Sequence, residues 1–248
     1  KSESKLGKPM LVVQHGLQAG IFSGKGMKTN MAVWGTGQKK YFEKLGCPPK
    51  KMIVTGDPSL DSLKLISKQE ARKQLGLEGK KKIVLIATTT DSREEVDRML
   101  SWCLPDLKNA FTIIKLHYNE KRSDYSTFEN RPNTKVIKKA DAFLLLRASD
   151  VVITINSTIG LEGMIQGTAV IEANPSFETS KVEYGKSGAA YYADDAQSMK
   201  KALELAFARP RPEKQVRRFI EENAGKLDGK SAQRTADFID KLIKENNK

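Results

Sequence analysis

Apolar residues in this chain follow two alternating rhythms. Short runs rich in β-branched residues, such as "KKIVLIA", "FTIIKL" and "DVVITI", are apolar at nearly every position, and the stretches between them repeat every three or four residues. A run apolar on both sides marks a strand covered on both faces, and the 3.6-residue repeat marks a helix with one buried side. Strands are therefore predicted at Met10–Gln14, Met31–Trp34, Met52–Thr55, Lys82–Ala87, Phe111–Leu116, Thr134–Ile137, Val151–Ile155 and Ala169–Glu172. Helices are predicted at Gly37–Leu45, Ser59–Ile66, Lys68–Leu75, Arg93–Leu104, Ala140–Ala148, Thr158–Gln166 and Ala196–Ala208. "ARPRPEK" at 208–214 breaks the pattern, and helices Gln215–Ala224 and Lys230–Ile243 are expected after it.

Buried strands alternating with amphipathic helices predict an α/β fold with a doubly wound, Rossmann-like parallel sheet. Residues 67–212 read as one complete unit of this kind. Residues 1–66 carry about three strands, too few for a sheet of that size, and read as a partial second Rossmann-like portion. Residues 213–248 read as closing helices, and no internal repeat is visible.

Composition narrows the setting. The apolar runs are far too short to span a bilayer. The opening "KSESKLGKPM" lacks the apolar core of a signal peptide and begins without Met, so an excised piece is expected. Cys47 and Cys103 form no disulfide framework or zinc pattern, which suits a reducing compartment and predicts a cytoplasmic location. The net charge of +13 suits a nucleic acid, an anionic membrane surface or phosphorylated substrates, and equally a surface kept soluble by lysine. No recognition helix, zinc finger or aromatic RNA-binding pattern accompanies that charge, so sequence-specific nucleic-acid binding is not expected.

Ligands of open parallel sheets bind outside the carboxyl ends of the strands. The polar residues there are His15-Gly16, then Thr88-Thr89-Thr90-Asp91-Ser92-Arg93, then His117-Tyr118-Asn119, then Asn156-Ser157-Thr158, and finally Asn174. The chain has only two histidines, and both fall just past a strand. Histidine suits proton transfer near neutral pH, or holding a phosphate as imidazolium. In "NSTIGLEG" the hydroxyls and helix-start amides suit phosphate oxygens, and Gly160 and Gly163 permit close approach. The plainer alternative is that Ser157 or Asn156 caps the helix, with Glu162 in its first turn answering the helix dipole.

Other motifs fall short. "GIFSGKG" at 20–26 is one residue too short for a phosphate loop and lacks the following hydroxyl, so "GKGMK" reads as a basic loop. No G-x-G-x-x-G follows a strand, no nucleophile elbow is present, and no metal-ligand spacing occurs. No metal and no cofactor are expected.

The segments "VVQHG", "VWGTGQKKYFEKLGCPPKKMIVTGDPSLDSL", "KLHY" and "SDVVITINSTIGLEGMIQGTAVI" occur in an order that resembles the GT-B superfamily. Within it, the chain is most similar to the CDP-glycerol glycerophosphotransferases and related capsule-polysaccharide transferases. The UDP-N-acetylglucosamine 2-epimerases share the architecture and a segment similar to "VTGDPSLDSL", and "GKLDGKSAQRTADFI" resembles the helix that closes such proteins. The resemblance implies that His15 is the catalytic base or an essential polar group, and that His117, Ser157 and Thr158 hold the donor's phosphates. Asn156, Glu162, Thr89, Thr90 and Arg93 are expected around the same donor. The resemblance makes 1–66 a remnant of an acceptor-side domain or a reduced one, and 67–212 the nucleotide-donor domain.

Departures from the pattern are informative. "TINSTIG" stands where the glycerophosphotransferases carry an Asp-Tyr-Ser-Ser type motif, and "QHGLQAG" and "TTTDSR" do not match the epimerase segments. The resulting expectation is a metal-independent transferase that moves a sugar or polyol-phosphate from a CDP-, UDP- or CMP-linked donor to a polysaccharide or anionic cell-envelope acceptor. Peripheral contact with the inner membrane face goes with it. An epimerase-like isomerase ranks second, and a non-catalytic nucleotide-binding half-domain third.

Overall fold

The computed structural model describes residues 10–17, 29–89, 92–177, 182–209 and 211–246. The basic "GKGMK" stretch and Thr90 lie outside the described residues. In chain order the elements are β1 (Leu11–Val13), β2 (Asn30–Val33), α1 (Thr36–Lys44), β3 (Met52–Val54), α2 (Lys68–Gln74), β4 (Ile83–Ala87) and α3 (Arg93–Cys103). There follow β5 (Phe111–Lys115), α4 (Ser126–Glu129), β6 (Thr134–Ile137), α5 (Ala142–Ala148), β7 (Val151–Thr154), α6 (Ile159–Ile165) and β8 (Ala169–Ala173). The last are β9 (Tyr191–Ala193), α7 (Ala196–Ala208), α8 (Glu213–Ala224) and α9 (Ser231–Asn246). Residues 1–64 with 217–248 make one unit and 65–216 the other, so the division falls inside α8.

The larger unit is an α/β sandwich on a six-stranded parallel sheet ordered β6-β5-β4-β7-β8-β9. Numbered within the unit this is 3-2-1-4-5-6, the Rossmann order, in which the winding reverses between the first and fourth strands. Here that reversal lies between β4 and β7, paired in register from Val84↔Val151 to Ala87↔Thr154. β4 is buried along its whole length, as its uninterrupted apolar run requires. Its Val84 and Ile86 share a core with Val96 and Met99 of α3 and Met199 and Leu203 of α7. Ile83 and Leu85, alternating with them, face the layer formed by α2, α5 and α6.

At the amino ends of the strands, Asp150 ties this second layer to the sheet. Its carboxylate accepts from Lys68 Nζ at 3.0 Å, Arg72 Nη2 at 2.8 Å and the backbone N–H of Ile83 at 2.8 Å. Arg72 Nε also donates to the Ala148 carbonyl at 2.9 Å.

The smaller unit carries a three-stranded parallel sheet, β1-β2-β3, with Met31, Val33, Phe42, Cys47 and Met52 at its core. The end of α8 and the side of α9 join it. Asp57 N–H donates to the Ala224 carbonyl at 3.2 Å, and Arg234 Nε to the Thr55 carbonyl at 2.6 Å.

Three local expectations change. The predicted helix Ser59–Ile66 is a single 3-10 turn, Pro58–Leu60, followed by irregular chain. Asp61, which would have continued it, instead accepts from the amides of Ser231 and Ala232 at 2.9 and 2.6 Å and so caps α9. β9 and α4, three and four residues long, were not predicted.

Asp150→Ala should lower unfolding free energy by about 2–3 kcal/mol in urea titration, because it leaves a partly buried guanidinium and an amide without their shared acceptor. Asp150→Asn should cost less.

Candidate functional site

β4 runs directly into Thr88, which is buried, and Thr89, which is partly exposed. The Thr88 hydroxyl donates to Glu120 Oε2, and the same oxygen accepts from the His117 N–H at 2.7 Å. The Tyr125 hydroxyl donates to Glu120 Oε1. One carboxylate therefore binds together the end of β4, the end of β5 and the turn before α4. Burial, reinforced by the adjacent Glu120, pushes the Tyr125 hydroxyl well above its ordinary range, so it remains a donor.

His117 is partly exposed at this junction, and its ring lies 4.2 Å from that of Tyr118. Its Nδ1 accepts from the Asn119 N–H at 3.3 Å. In the neutral ring this puts the proton on Nε2, which becomes the donor toward any ligand. Arg93, at the start of α3, is exposed and stacks 4.2 Å over the Tyr125 ring. Its guanidinium is bridged to Asp97 at 2.7 Å and donates to the Asp124 carbonyl at 3.1 Å. It supports the Tyr125 turn.

Across the reversal point, β7 ends in Asn156, Ser157 and Thr158, all partly exposed. Asn156 turns the chain with a positive φ of 35°, which an Asn tolerates better than most residues. Capping of α6 by these side chains is slight. Thr158 holds the cap position without a side-chain cap bond, and Ser157 Oγ accepts from the Ile159 N–H at a long 3.4 Å. Tyr184, fully buried, does more for the turn. Its hydroxyl accepts from the Leu161 N–H at 3.1 Å and donates to the Ser157 carbonyl at 2.8 Å. The ring fits because residue 160 is glycine: a Cβ there would lie 2.7 Å from Tyr184 Cζ. Gly160 N–H donates to the Ser157 carbonyl at 3.1 Å. The first three amides of α6 are thus already engaged within the protein. Glu162 is partly exposed in the first turn of α6.

Within the larger unit, then, Thr89, His117 and Asn156-Ser157-Thr158 lie at the carboxyl ends of three neighbouring strands, β5, β4 and β7. His15 belongs to the smaller unit, where it follows β1 and is exposed. Glu120, Tyr125 and Tyr184 were missed from sequence. Glu120 could have been found as an acid three residues beyond a strand-end histidine, but nothing in the sequence near Tyr184 points to α6.

No protein-family model matches the chain, and no curated protein matches it. Its fold, however, is that of solved GT-B-like enzymes. A Methanocaldococcus jannaschii UDP-GlcNAc 2-epimerase in complex with UDP-GlcNAc and UDP is 14% identical with a TM-score of 0.62, over 84% of this chain and 61% of that one. A Neisseria meningitidis UDP-GlcNAc 2-epimerase bound to UDP-GlcNAc is 13% identical with a TM-score of 0.64, over 94% and 70%. The wall teichoic acid polymerase TagF is 17% identical with a TM-score of 0.56, over 97% and 69%. The chain spans less than two thirds of the first of these.

The buried tyrosines predict an alkaline signature. Tyr184 is held far above its ordinary value of 10.0, chiefly by burial and further by Glu162 and Glu172. Above pH about 10 the unfolded chain loses that proton and the folded one keeps it, so stability is full below this pH and falls as pH rises. Urea unfolding between pH 8 and 11 should show this loss, and Tyr184→Phe should have a shallower decline at high pH. Gly160→Ala should cost about 1–3 kcal/mol in the same assay, as overpacking against the ring does.

Proposed function

We propose that the larger unit binds the nucleotide of an activated donor across the carboxyl ends of β4, β5 and β7, and that the parent activity is transfer of a sugar or polyol-phosphate from it. One observation carries this reading. The polar, partly exposed residues Thr89, His117, Asn156, Ser157 and Thr158 flank the point where the winding of a six-stranded parallel sheet reverses. Such a reversal opens a crevice between diverging connections, and it is the ordinary nucleotide site of this architecture. That similar structures carry UDP-GlcNAc or UDP supports the ligand class.

Under this reading the Ser157 and Thr158 hydroxyls and the His117 Nε2–H donate to the donor's phosphate oxygens. Thr89, Thr90, Arg93, Asn156 and Glu162 surround them. Donors already aimed at the phosphates stabilise the charge that grows on the leaving nucleotide as its bond to the transferred group breaks. His15 takes the proton of the attacking acceptor hydroxyl as the new bond forms. The positive net charge suits an anionic acceptor or the membrane face that presents it. Among the described residues no helix is long and apolar enough to cross a membrane.

A second reading, isomerisation of a UDP-sugar, draws on the UDP-GlcNAc that two of the similar structures hold. The two readings differ in what they need. Transfer requires an acceptor, whereas an isomerase releases altered sugar from the donor alone.

A melting-temperature panel with UDP, CDP, CMP and GDP should single out one base, since a ligand at 100 times its Kd adds about 2.7 kcal/mol. Ser157→Ala with Thr158→Val should weaken that ligand roughly 10- to 100-fold, as loss of hydrogen bonds to a charged group does. Equal affinity in the double variant would refute the phosphate assignment. With labelled donor, product formed only in the presence of acceptor supports transfer, and altered sugar formed without acceptor overturns it in favour of isomerisation. His15→Ala should abolish turnover and spare nucleotide binding.

A further inference from the structure

Beneath the exposed His15, the smaller unit buries a row of three carboxamides: Gln14 at 6% exposure, Gln38 at 1% and Asn223 at 9%. Gln14 Nε2 donates to the Gly16 carbonyl at 2.8 Å, closing a tight loop around His15. It also donates to Gln38 Oε1 at 2.9 Å. Gln38 Nε2 donates in turn to Asn223 Oδ1 at 2.8 Å, and Asn223 Nδ2 to the Phe219 carbonyl of α8 at 2.9 Å. On the near side, Gln14 Oε1 accepts from the Trp34 N–H at 2.9 Å and the Gln14 carbonyl from Trp34 Nε1 at 3.0 Å. Both protons of the Gln14 amide group and its oxygen are therefore committed.

Donation runs one way along this row, from Gln14 through Gln38 and Asn223 into α8. Reversing any one amide would face donor against donor or acceptor against acceptor in a buried site, so a single arrangement is selected. The far end cannot drift. A Cβ on Gly35 would lie 2.2 Å from the Glu222 carbonyl oxygen, which shows how closely the backbone after Trp34 abuts the last turn of α8.

We infer that α8 positions the His15–Gly16 turn through this carboxamide relay, with Gln14, Gln38 and Asn223 as positioning residues for His15. An element more than 180 residues away in the chain thereby fixes the group read above as the base. Calling the outcome catalytic rests on that reading, but the geometric coupling does not.

The chain's two histidines make it testable in the intact protein without any ligand. Each gives one imidazole Cε1–H resonance, assigned by its loss in His15→Ala or His117→Ala, and the His117 signal serves as the internal standard. Asn223→Ala and Gln38→Leu should shift or broaden the His15 signal beyond its wild-type line width and move its pH titration midpoint. Met52→Ala, which weakens the same unit's core at the other end of its sheet, should lower the melting temperature and leave the His15 signal in place. If Gln38→Leu does not fold, Asn223→Ala decides alone. A His15 signal unchanged in Asn223→Ala, or moved equally by Met52→Ala, would overturn the relay. Because no turnover is measured, a failed base assignment for His15 would leave this result standing.

Discussion

The hydrogen-bonded pairing of β4 with β7 is the constraint on which the larger unit depends. Both strands are apolar on both faces, so each must lie in the sheet interior with helices above and below. Right-handed crossovers then carry the chain outward from β4 through β5 to β6, and from β7 through β8 to β9 on the other side. Winding of this kind makes the connections leaving two such strands part from one another at their carboxyl ends. A cleft follows from winding alone, before any side chain is chosen.

What the side chains add is rigidity. Glu120 gathers donors from Thr88, His117 and Tyr125, so that His117 stands on a fixed base with Nδ1 occupied. Tyr184 performs the corresponding task at the other rim, bridging Ser157 and Leu161 beneath a glycine that makes room for it. The rims are built by different means, one ionic and one aromatic. In both, the residues facing solvent are held by buried partners, the arrangement that limits reorganisation when charge develops on a ligand.

Much of this was legible in the sequence. All eight predicted strands are present within one or two residues, because uninterrupted runs such as "IVLIA" and "VVIT" admit few other structures. The strand-end location of His117 and of Asn156-Ser157-Thr158 follows from those strands. What stayed hidden depends on partners far away in the chain. Asp61 leaves its expected helix for an amide 170 residues distant, and Tyr184 reaches back 23 residues to serve α6. Gln14, Gln38 and Asn223 look in sequence like ordinary surface amides, and only the fold shows them buried in one row. Short-range periodicity reports which face is covered, not which polar group is waiting there.

The central claim is that a nucleotide lies against His117 at the reversal of the sheet. Titrating the preferred nucleoside diphosphate while following the two imidazole resonances tests it most directly. The account predicts a saturable shift of the His117 signal with a raised titration midpoint, as a phosphate beside an imidazole favours its charged form. Saturable nucleotide binding that leaves the His117 signal unmoved would contradict it.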